Sequence, residues 1–472
     1  MKRREISLLV FILISVFILV YSPHFNYRFP YFIDEWHHIS QSYNLFEEGY
    51  FLGSGKLEIG FQLFLRILSL IIEVFRINFF LFYKFLPALW AVFSALVLFY
   101  VVEKKTSNFY IGILAVIFFA SIKSNSDIGG LWFFTPLTFS IPFVFLYIYF
   151  FTEGIEKRDN QMILWSLVIM IFLLPIHAIS VLFAIPILLI YCLFHLKYIK
   201  SEWKFFYWFL VLPLIGILFY LQITKNSLFN LFNAIQFRLG FGYADLPFSF
   251  FDVYSLIGFV LALFGVIFII LYKKDLKKYS LFVIWPLIML ISLAIFKVTG
   301  VSFFSPYQRN IYYFALSLPI LSAFGVIYLL QLIRKIKISE FVIKIIFVIF
   351  IMMILFFTFY QYYNLPERAQ LRQIIDEDDY KDLLFLRSLD KGVVLAEPLI
   401  SNAITPIAKM QPATTSFILD YRKEVETFFS LESCDKENEM LGIYEVDYIL
   451  TKEKTDCGWE LIYEGKNFLY AV

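Results

Sequence analysis

The sequence has few charged residues and few cysteines, and both shortages narrow what the chain can be. Only 17% of its 472 residues are charged, whereas 60% are hydrophobic, and 60 residues are phenylalanine. A soluble domain does not normally carry so much apolar surface. The formal net charge of +2 gives no overall field that would attract nucleic acid, and three cysteines cannot form a disulfide framework. The composition therefore predicts an integral membrane protein with a smaller polar part.

Long apolar runs predict about 11 transmembrane helices, since a membrane span needs roughly 20 mostly apolar residues. The predicted spans are residues 5–21, 79–102, 108–122, 132–151, 161–176, 178–196, 204–222, 253–272, 280–297, 310–331 and 342–360. Arg66, Glu73 and Arg76 interrupt the further run at 57–76. We interpret that run as a juxtamembrane helix, because most of the basic loops then lie in the cytoplasm, as the positive-inside rule requires.

The sequence also lacks internal repeats and a small-residue cleavage site after its first apolar run. That run, preceded by the basic MKRR, is therefore expected to be an uncleaved first span rather than a signal peptide. With an odd number of spans, the N-terminus is predicted in the cytoplasm and the C-terminus outside. The expected location is the plasma membrane, with several passes.

After Tyr360 the composition becomes polar, and a charged helical pattern is followed by short β-like runs. We predict a transmembrane domain at residues 1–360 and a small extracytoplasmic α/β domain at 361–472. Cys434 and Cys457 fall in this second domain, where an oxidising environment allows a disulfide. Two free thiols are the alternative.

The first outer loop, FPYFIDEWHHISQSYNLFEEGYF, concentrates acids and imidazoles in an otherwise apolar region. A helix is predicted from about residue 35 to 48, with Asp34, His37, His38 and Gln41 on one face at i, i+3, i+4 and i+7. In the simplest interpretation Asp34 is only the N-cap of this helix. A metal site is the alternative, although one helix face rarely supplies a full ligand set.

Other polar residues whose side chains are able to take part in catalysis or binding also fall on the predicted outer side. Asp127 lies in KSNSDIGGLW, His177 in LLPIHAIS, Arg238 in FRLGFGYADLP and Arg309 in FSPYQRN. Each has a structural alternative: Asp127 as a turn residue, His177 as a polar break at the interface, and the arginines as interfacial or surface residues that extend towards water.

The first loop resembles that of the GT-C superfamily, membrane glycosyltransferases that use polyprenyl-phosphate-linked sugars. The matching residues are the acidic pair Asp34-Glu35, followed by Trp36-His37-His38 and a helix that closes in NLFEEGYF. The family often has a Pro pair before the next helix, whereas this chain has KLEIGFQLFLRIL. The resemblance covers roughly residues 1–360.

The resemblance implies roles for particular residues. It makes Asp34 the candidate general base, with Glu35 as an alternative base or a metal ligand. It places Asp127 where several members have a second acidic residue, which is also compatible with a divalent metal cofactor. Arg309 stands at the entry to a late span, where family members often hold the lipid phosphate, and Arg238 is a weaker candidate for that role. The remaining candidates for substrate binding are His37, His38 and His177.

The implied activity is inverting transfer of a sugar from a polyprenyl-phosphate donor to a lipid, glycan or protein acceptor on the outer face. Alternatives are a transporter or flippase of lipid-linked sugars, a polysaccharide polymerase, or a non-enzymatic scaffold. Transport is less favoured, because the predicted span interiors lack the acidic and arginine residues that transporters place near the bilayer midplane.

Overall fold

The computed structural model describes most of the chain outside its longest loops. The described residues are 2–46, 58–124, 128–201, 236–238, 250–271, 276–335, 339–363, 373–415 and 434–472, with scattered positions between 203 and 218 and residues 425, 428 and 429. These residues divide into two compact units. Unit 1 holds those of 1–25, 51–61 and 85–366, and unit 2 holds those of 26–50, 62–84 and 367–472.

Helices make up most of the described chain. They are α1 (Arg3–Tyr21), α2 (Ile33–Tyr43), α3 (Ile59–Val74), α4 (Phe79–Tyr83), α5 (Leu86–Thr106), α6 (Phe109–Ala120), α7 (Pro136–Lys157), α8 (Asn160–His177), α9 (Ile179–Leu182), α10 (Ala184–Leu193), α11 (Leu196–Ser201), α12 (Leu256–Leu271), α13 (Leu276–Thr299), α14 (Tyr307–Lys335), α15 (Glu340–Tyr363), α16 (Glu377–Leu386), α17 (Pro398–Ala408) and α18 (Cys434–Ile443).

Six helical stretches among the described residues are long and apolar enough to cross a membrane. They are Arg3–Phe25, Phe79–Thr106, Pro136–Lys157, Asn160–His177, Lys278–Thr299 and Tyr307–Lys335, and five shorter apolar helices accompany them. The membrane class predicted from composition agrees with this finding. The structure does not establish the count of eleven spans, because several predicted spans are shorter helices here, and the predicted span 178–196 is divided between α9 and α10.

Short polar residues set the turns between the apolar helices of unit 1. Asn108 begins α6 by accepting hydrogen bonds from the backbone N–H groups of Tyr110 and Ile111, at 3.0 and 3.2 Å. Asp159 caps α8 in the same way, immediately after Arg158 ends α7 in a left-handed conformation with φ of 56°. Such caps satisfy backbone donors that a helix start leaves without partners.

Two glycines let α12 and α14 approach closely. A Cβ atom on Gly265 would collide with the carbonyl oxygen of Leu321, and one on Gly325 would collide with that of Leu261. Small residues at such crossings allow the backbones of membrane helices to touch. The crossing holds α14, which carries Arg309 near its start, against its neighbour in unit 1.

Besides the strands β1 (Gln236–Arg238) and β2 (Val301–Phe303) of unit 1, the structure describes five strands in unit 2: β3 (Val393–Ala396), β4 (Gln411–Pro412), β5 (Tyr448–Thr451), β6 (Glu460–Glu464) and β7 (Phe468–Ala471). These five form one sheet in the order β4-β3-β5-β7-β6. Strands β4, β3 and β5 are parallel, whereas β5, β7 and β6 are antiparallel. Leu395, Ile449 and Tyr470 form part of the core beside this sheet. A disulfide joins Cys434 to Cys457, the first of the two alternatives that the sequence allowed.

Segments of the first loop also belong to unit 2. The hydroxyl of Tyr27 donates to the carbonyl oxygen of Ile375 at 2.9 Å, and Arg28 forms an ion pair with Glu377 at 2.6 Å. Unit 2 thus combines the predicted C-terminal α/β domain with parts of the first loop. The division at residues 1–360 and 361–472 remains a prediction about domains.

Candidate functional site

The helix predicted in the first loop is present, but it begins earlier than expected. It spans Ile33–Tyr43 and continues as a 3-10 turn at Asn44–Phe46, whereas residues 47–57 lie outside the described chain. Its N-cap position is Phe32, so Asp34 is not the cap that the simplest interpretation required. Asp34 instead occupies the second position of the helix.

The side chain of Glu35 caps the N-terminus of α2. Its Oε2 accepts hydrogen bonds from the backbone N–H groups of Tyr31 and Phe32, at 3.2 and 3.0 Å. Its Oε1 accepts from the hydroxyl of Tyr83 at 2.7 Å, and its side chain is fully buried. A glutamate at the third helical position that reaches back to the N-cap is half of a capping box. Both carboxylate oxygens of Glu35 are therefore engaged in holding the helix.

The burial pattern of α2 separates a packed face from a more open one. Trp36 is fully buried, and its indole N–H donates to the carbonyl oxygen of Pro30 at 3.1 Å. Asp34 and His37 are half-buried, three residues apart on the more open side. His38 is buried, with its ring centroid 5.6 Å from that of His37. The helix thus holds a carboxylate and an imidazole side by side on its partly accessible face.

Arg309 is the third residue of α14 in unit 1 and is half-buried. Its Nη1 donates to the carbonyl oxygen of Ile128 at 2.7 Å. The following Gly129 has φ of 88°, and a Cβ atom there would lie 3.1 Å from the same Nη1. A guanidinium has five N–H donors, so this single bond orients Arg309 and leaves donors for another acceptor. Asp127, which precedes Ile128 in the sequence, lies outside the described residues.

His177 ends α8 and is buried in a chain of hydroxyl groups. Its Nδ1 lies 2.7 Å from Ser180 Oγ, which in turn lies 2.9 Å from the hydroxyl of Tyr313 and 2.6 Å from Ser140 Oγ. Tyr313 is four residues after Arg309 and so lies on the same face of α14. The structure thus connects His177 by hydrogen bonds to the helix that carries Arg309.

Arg238 lies at the end of a short strand, β1 (Gln236–Arg238), in unit 1. This strand pairs antiparallel with β2 (Val301–Phe303), and Arg238 is opposite Val301. Strand β2 comes shortly before α14, so the backbone of the loop containing Arg238 reaches the segment that leads to Arg309. Nothing in the sequence pattern predicted this pairing, because three-residue strands carry too little periodicity to be recognised.

The described residues offer little for a metal ion. Among them, the one group of three His, Cys, Asp or Glu side chains with suitably close ligand atoms is Cys434, Glu437 and Cys457. Its two sulfurs are joined in a disulfide, so neither is a thiolate ligand. Glu35, a ligand candidate from the sequence, has both oxygens occupied by hydrogen bonds. The described part of the first loop does not fit a metal site centred on Glu35.

Sequence reasoning missed a cavity in unit 2 that is lined by charged residues. Arg66, Arg387 and Lys409 contribute to its lining, together with Glu73 and Tyr43. In the sequence, Arg66 and Glu73 stand out only as interruptions of an apolar run. Their spacing of seven residues on one helix was the available signal, since it places both on the same face.

No family model matches the sequence, and no curated protein matches it either. Solved structures of the oligosaccharyltransferase of Archaeoglobus fulgidus do match its fold. The form tethered to an acceptor peptide with an NVT sequon has a TM-score of 0.60 and 13% identity, covering 96% of this chain and 69% of that chain. The complex with an inhibitory peptide and a dolichol-phosphate has a TM-score of 0.57, 13% identity and the same coverage of 96% and 69%.

A third structure of that enzyme, in complex with zinc and sulfate, has a TM-score of 0.55 and 14% identity, and covers 94% of this chain and 68% of that chain. At such low identity the likeness shows the fold alone. The chain has the fold of an archaeal oligosaccharyltransferase, an enzyme of the GT-C type. The resemblance that the first loop suggested is therefore confirmed at the level of the fold.

Proposed function

We propose that this protein is an inverting glycosyltransferase that moves a sugar from a polyprenyl-phosphate-linked donor to an acceptor at the outer face of the membrane. One observation carries the proposal: Asp34 lies on the accessible side of a rigidly capped first-loop helix, in a chain with the fold of a GT-C enzyme. A direct displacement with a single base inverts the anomeric centre, because the acceptor oxygen attacks opposite the leaving lipid phosphate.

Asp34 is assigned as the general base. The acceptor hydroxyl must lose a proton as it attacks, so a carboxylate within hydrogen-bond reach of that hydroxyl accelerates the step. Glu35 is adjacent in sequence but buried, with both oxygens engaged by Tyr31, Phe32 and Tyr83. Its role is to hold the start of α2, and through it the backbone that carries Asp34. His37 and His38, on the following turn, are assigned to substrate binding.

Arg309 is assigned to the donor phosphate. Its planar guanidinium can form paired hydrogen bonds with phosphate oxygens, and positive charge there stabilises the phosphate as it leaves the sugar. The bond from Nη1 to Ile128 fixes the orientation of the side chain before the donor arrives. His177, bonded through Ser180 to Tyr313, supports the same stretch of α14.

The outer location is supported by the disulfide between Cys434 and Cys457, since such bonds persist in oxidising compartments. A solved neighbour carries a dolichol-phosphate, and another is tethered to an acceptor peptide. By analogy with the first of these, the donor of this chain belongs to the lipid phosphates. By analogy with the second, peptides are added to lipids and glycans as possible classes of acceptor. A further neighbour was solved in complex with zinc. In this chain Glu35 does not fit as a metal ligand, because both of its oxygens accept hydrogen bonds, and Asp127 is the other candidate ligand.

The test is sugar transfer by the purified chain in lipid nanodiscs. A panel of polyprenyl-phosphate sugars is supplied with lipid, glycan and peptide acceptors, and consumption of the donor is followed by mass spectrometry. We expect one donor to be consumed by the wild-type protein and spared by Asp34→Asn. The matched control is Asp378→Asn, which removes an exposed carboxylate from the first turn of α16. In sealed proteoliposomes, movement of intact donor across the bilayer without transfer would instead indicate a flippase.

A further inference from the structure

Unit 2 contains a cavity of about 400 Å³. Its charged and tyrosine lining comes from the ends and faces of four helices: Tyr43 at the end of α2, Arg66 and Glu73 on α3, Tyr380 and Arg387 at α16, and Lys409 after α17. Such a volume falls in the range of small-molecule sites in proteins. Every described residue of the lining belongs to unit 2.

The basic side chains of the lining carry more positive charge than the acidic side chain beside them neutralises. Arg66, Arg387 and Lys409 are basic, and Glu73 is the one carboxylate among the described residues of the lining. Glu73 Oε1 lies 4.0 Å from Lys409 Nζ, which is a loose ion pair. Within the described chain, Arg66 and Arg387 form no ion pair, and the buried Nε of Arg66 has no hydrogen-bond acceptor. An N–H donor buried without an acceptor is costly unless a ligand supplies one.

Tyr43 brings two of the cations together. Lys409 Nζ lies 3.2 Å from the centre of the Tyr43 ring, and the guanidinium carbon of Arg66 lies 5.0 Å from it. Cations over an aromatic face are stabilised modestly, which offsets part of their mutual repulsion. The ring therefore helps to hold Arg66 and Lys409 close to one another.

The placement of Arg66 follows from the two faces of α3. One stripe of this helix is polar and consists of Gln62, Arg66, Ser69 and Glu73, at intervals of four, three and four residues. The neighbouring stripe is apolar and exposed, with Leu63, Ile67, Leu70 and Val74. An exposed apolar stripe is typical of a helix that lies at a membrane surface. The polar stripe then supplies Arg66 and Glu73 to the cavity.

Lys409 is unusual among these groups because burial lowers its pKa to about 7, with the charges of Arg387 and Arg66 acting in the same direction and Glu73 opposing them. A lysine in such surroundings is only partly protonated near neutral pH. A bound anion would favour the charged form and raise this pKa, so proton uptake and anion binding should be linked.

We propose that this cavity binds a tetrahedral oxyanion of the phosphate class, as the headgroup of a phosphate monoester or of an anionic lipid. Once Lys409 is protonated, the three cations and the one carboxylate of the described lining leave a net charge of about +2, which a dianion neutralises. The two arginines offer planar forks to the anion oxygens, and Lys409 supplies a third donor. The proposal concerns binding only and stands independently of the proposed sugar transfer.

The first experiment measures binding to the wild-type chain in neutral nanodiscs by calorimetry. Inorganic phosphate and glycerol 3-phosphate are the soluble probes, and nanodiscs that contain phosphatidic acid provide the lipid source. We expect saturable binding of at least one probe. Binding of the soluble probes identifies a soluble phosphate, whereas retention of phosphatidic acid alone identifies a lipid headgroup. If neither source binds, the proposal is wrong, whatever the sugar-transfer assay shows.

Variants then locate the site. Arg66→Gln and Arg387→Gln should each weaken binding about tenfold, because each removes a charged donor. Lys391→Gln, an exposed residue of unit 2 outside the cavity, makes the same change of charge and should bind as the wild type does. Far-ultraviolet circular dichroism checks the fold of each variant. Equal binding by folded cavity variants and the control would show that the anion binds elsewhere.

A measurement on the wild-type chain avoids any dependence on how the variants fold. Lys409, with its lowered pKa, should react faster at pH 7 with a limiting amount of an acylating reagent than the exposed Lys391 does. Phosphate should protect Lys409 and leave Lys391 unprotected, as quantified by peptide mass spectrometry. Unchanged modification of Lys409 at saturating phosphate would overturn the assignment.

Discussion

At the scale of single residues, Asp34 and Glu35 show how burial separates two adjacent carboxylates. The sequence identifies the pair, but it cannot say which member is fully buried and which is partly exposed. That distinction depends on Tyr83, which is distant in sequence and donates to Glu35 at 2.7 Å. The prediction of Asp34 as an N-cap failed for a related reason: Glu35 reaches back to Phe32 and allows the helix to begin before Asp34.

The two carboxylates should therefore respond differently to amide substitution. Asp34→Asn should reduce transfer by about 10²–10⁴-fold, the typical cost of losing a general base, with little change in thermal stability. Glu35→Gln should lower stability by about 1–3 kcal/mol, because a buried acceptor of three hydrogen bonds is altered. Turnover and thermal unfolding of both variants would be compared. A normal rate for folded Asp34→Asn would contradict the assignment.

Substitutions of Arg309 test whether this residue binds the phosphate of the donor. Arg309→Lys keeps the charge but loses the fork, and Arg309→Gln loses both. Affinity for a polyprenyl-phosphate sugar should fall in the order Arg, Lys, Gln, by about 1–3 kcal/mol at each step. Binding is measured on purified variants by native mass spectrometry, with Arg158→Gln, outside the candidate residues, as the control. If the wild type and both variants bind the donor with equal affinity, Arg309 does not bind the phosphate and is only an interfacial residue.

At the scale of elements, amphipathic patterns were the most informative part of the sequence. The interrupted run at 57–76 corresponds to α3, Ile59–Val74. Arg66 and Glu73 lie on one stripe of this helix, and its exposed apolar residues lie on another. This two-sided pattern is what made the helix recognisable in the sequence. Pairings between distant short segments were not predictable. The strands β1 and β2 are three residues each, and their register depends on the pairing of Gln236 with Phe303 and of Arg238 with Val301 rather than on local periodicity.

The start of α16 provides a pH-dependent element. Burial opposes ionisation of Asp376, but its bonds to Lys466 and to the backbone N–H groups of Asp379 and Asp378 lower its pKa to about 2. Asp376 Oδ2 lies 2.7 Å from Lys466 Nζ. Because the pKa is lower in the folded state than the ordinary 3.8, the stabilisation is present above about pH 4 and is lost as pH falls towards 2.

Acid unfolding of the wild-type protein and of Lys466→Met would measure this contribution. The variant should be less stable than the wild type at pH 5, and the difference should shrink as pH falls from 4 to 2. Lys391→Met, an exposed lysine elsewhere in unit 2, should follow the wild-type curve. A difference between variant and wild type that stays constant over this range would show that the ionisation of Asp376 does not contribute.

At the scale of the whole molecule, composition was sufficient to predict a membrane protein with a small α/β part, but not how the chain is shared between compact units. The first loop joins unit 2 through contacts such as that of Tyr27 with Ile375, which are 348 residues apart. Local sequence patterns carry no information about such contacts. The same contacts place α2, and with it Asp34, in the unit that contains the disulfide.

The orientation that we propose in the membrane is supported by the positive-inside pattern of charge and by the disulfide, and it can be tested directly. Basic residues cluster in the loops that we place in the cytoplasm, where Lys157 is exposed at the end of α7. Cys192 is first replaced by serine, since it is the free cysteine of the described chain. In intact cells, a cysteine at Lys391→Cys should then react with an impermeant maleimide, whereas one at Lys157→Cys should react only after permeabilisation. Because Asp34 belongs to the same unit as Lys391, labelling in the opposite sense would place the proposed base in the cytoplasm and contradict transfer at the outer face.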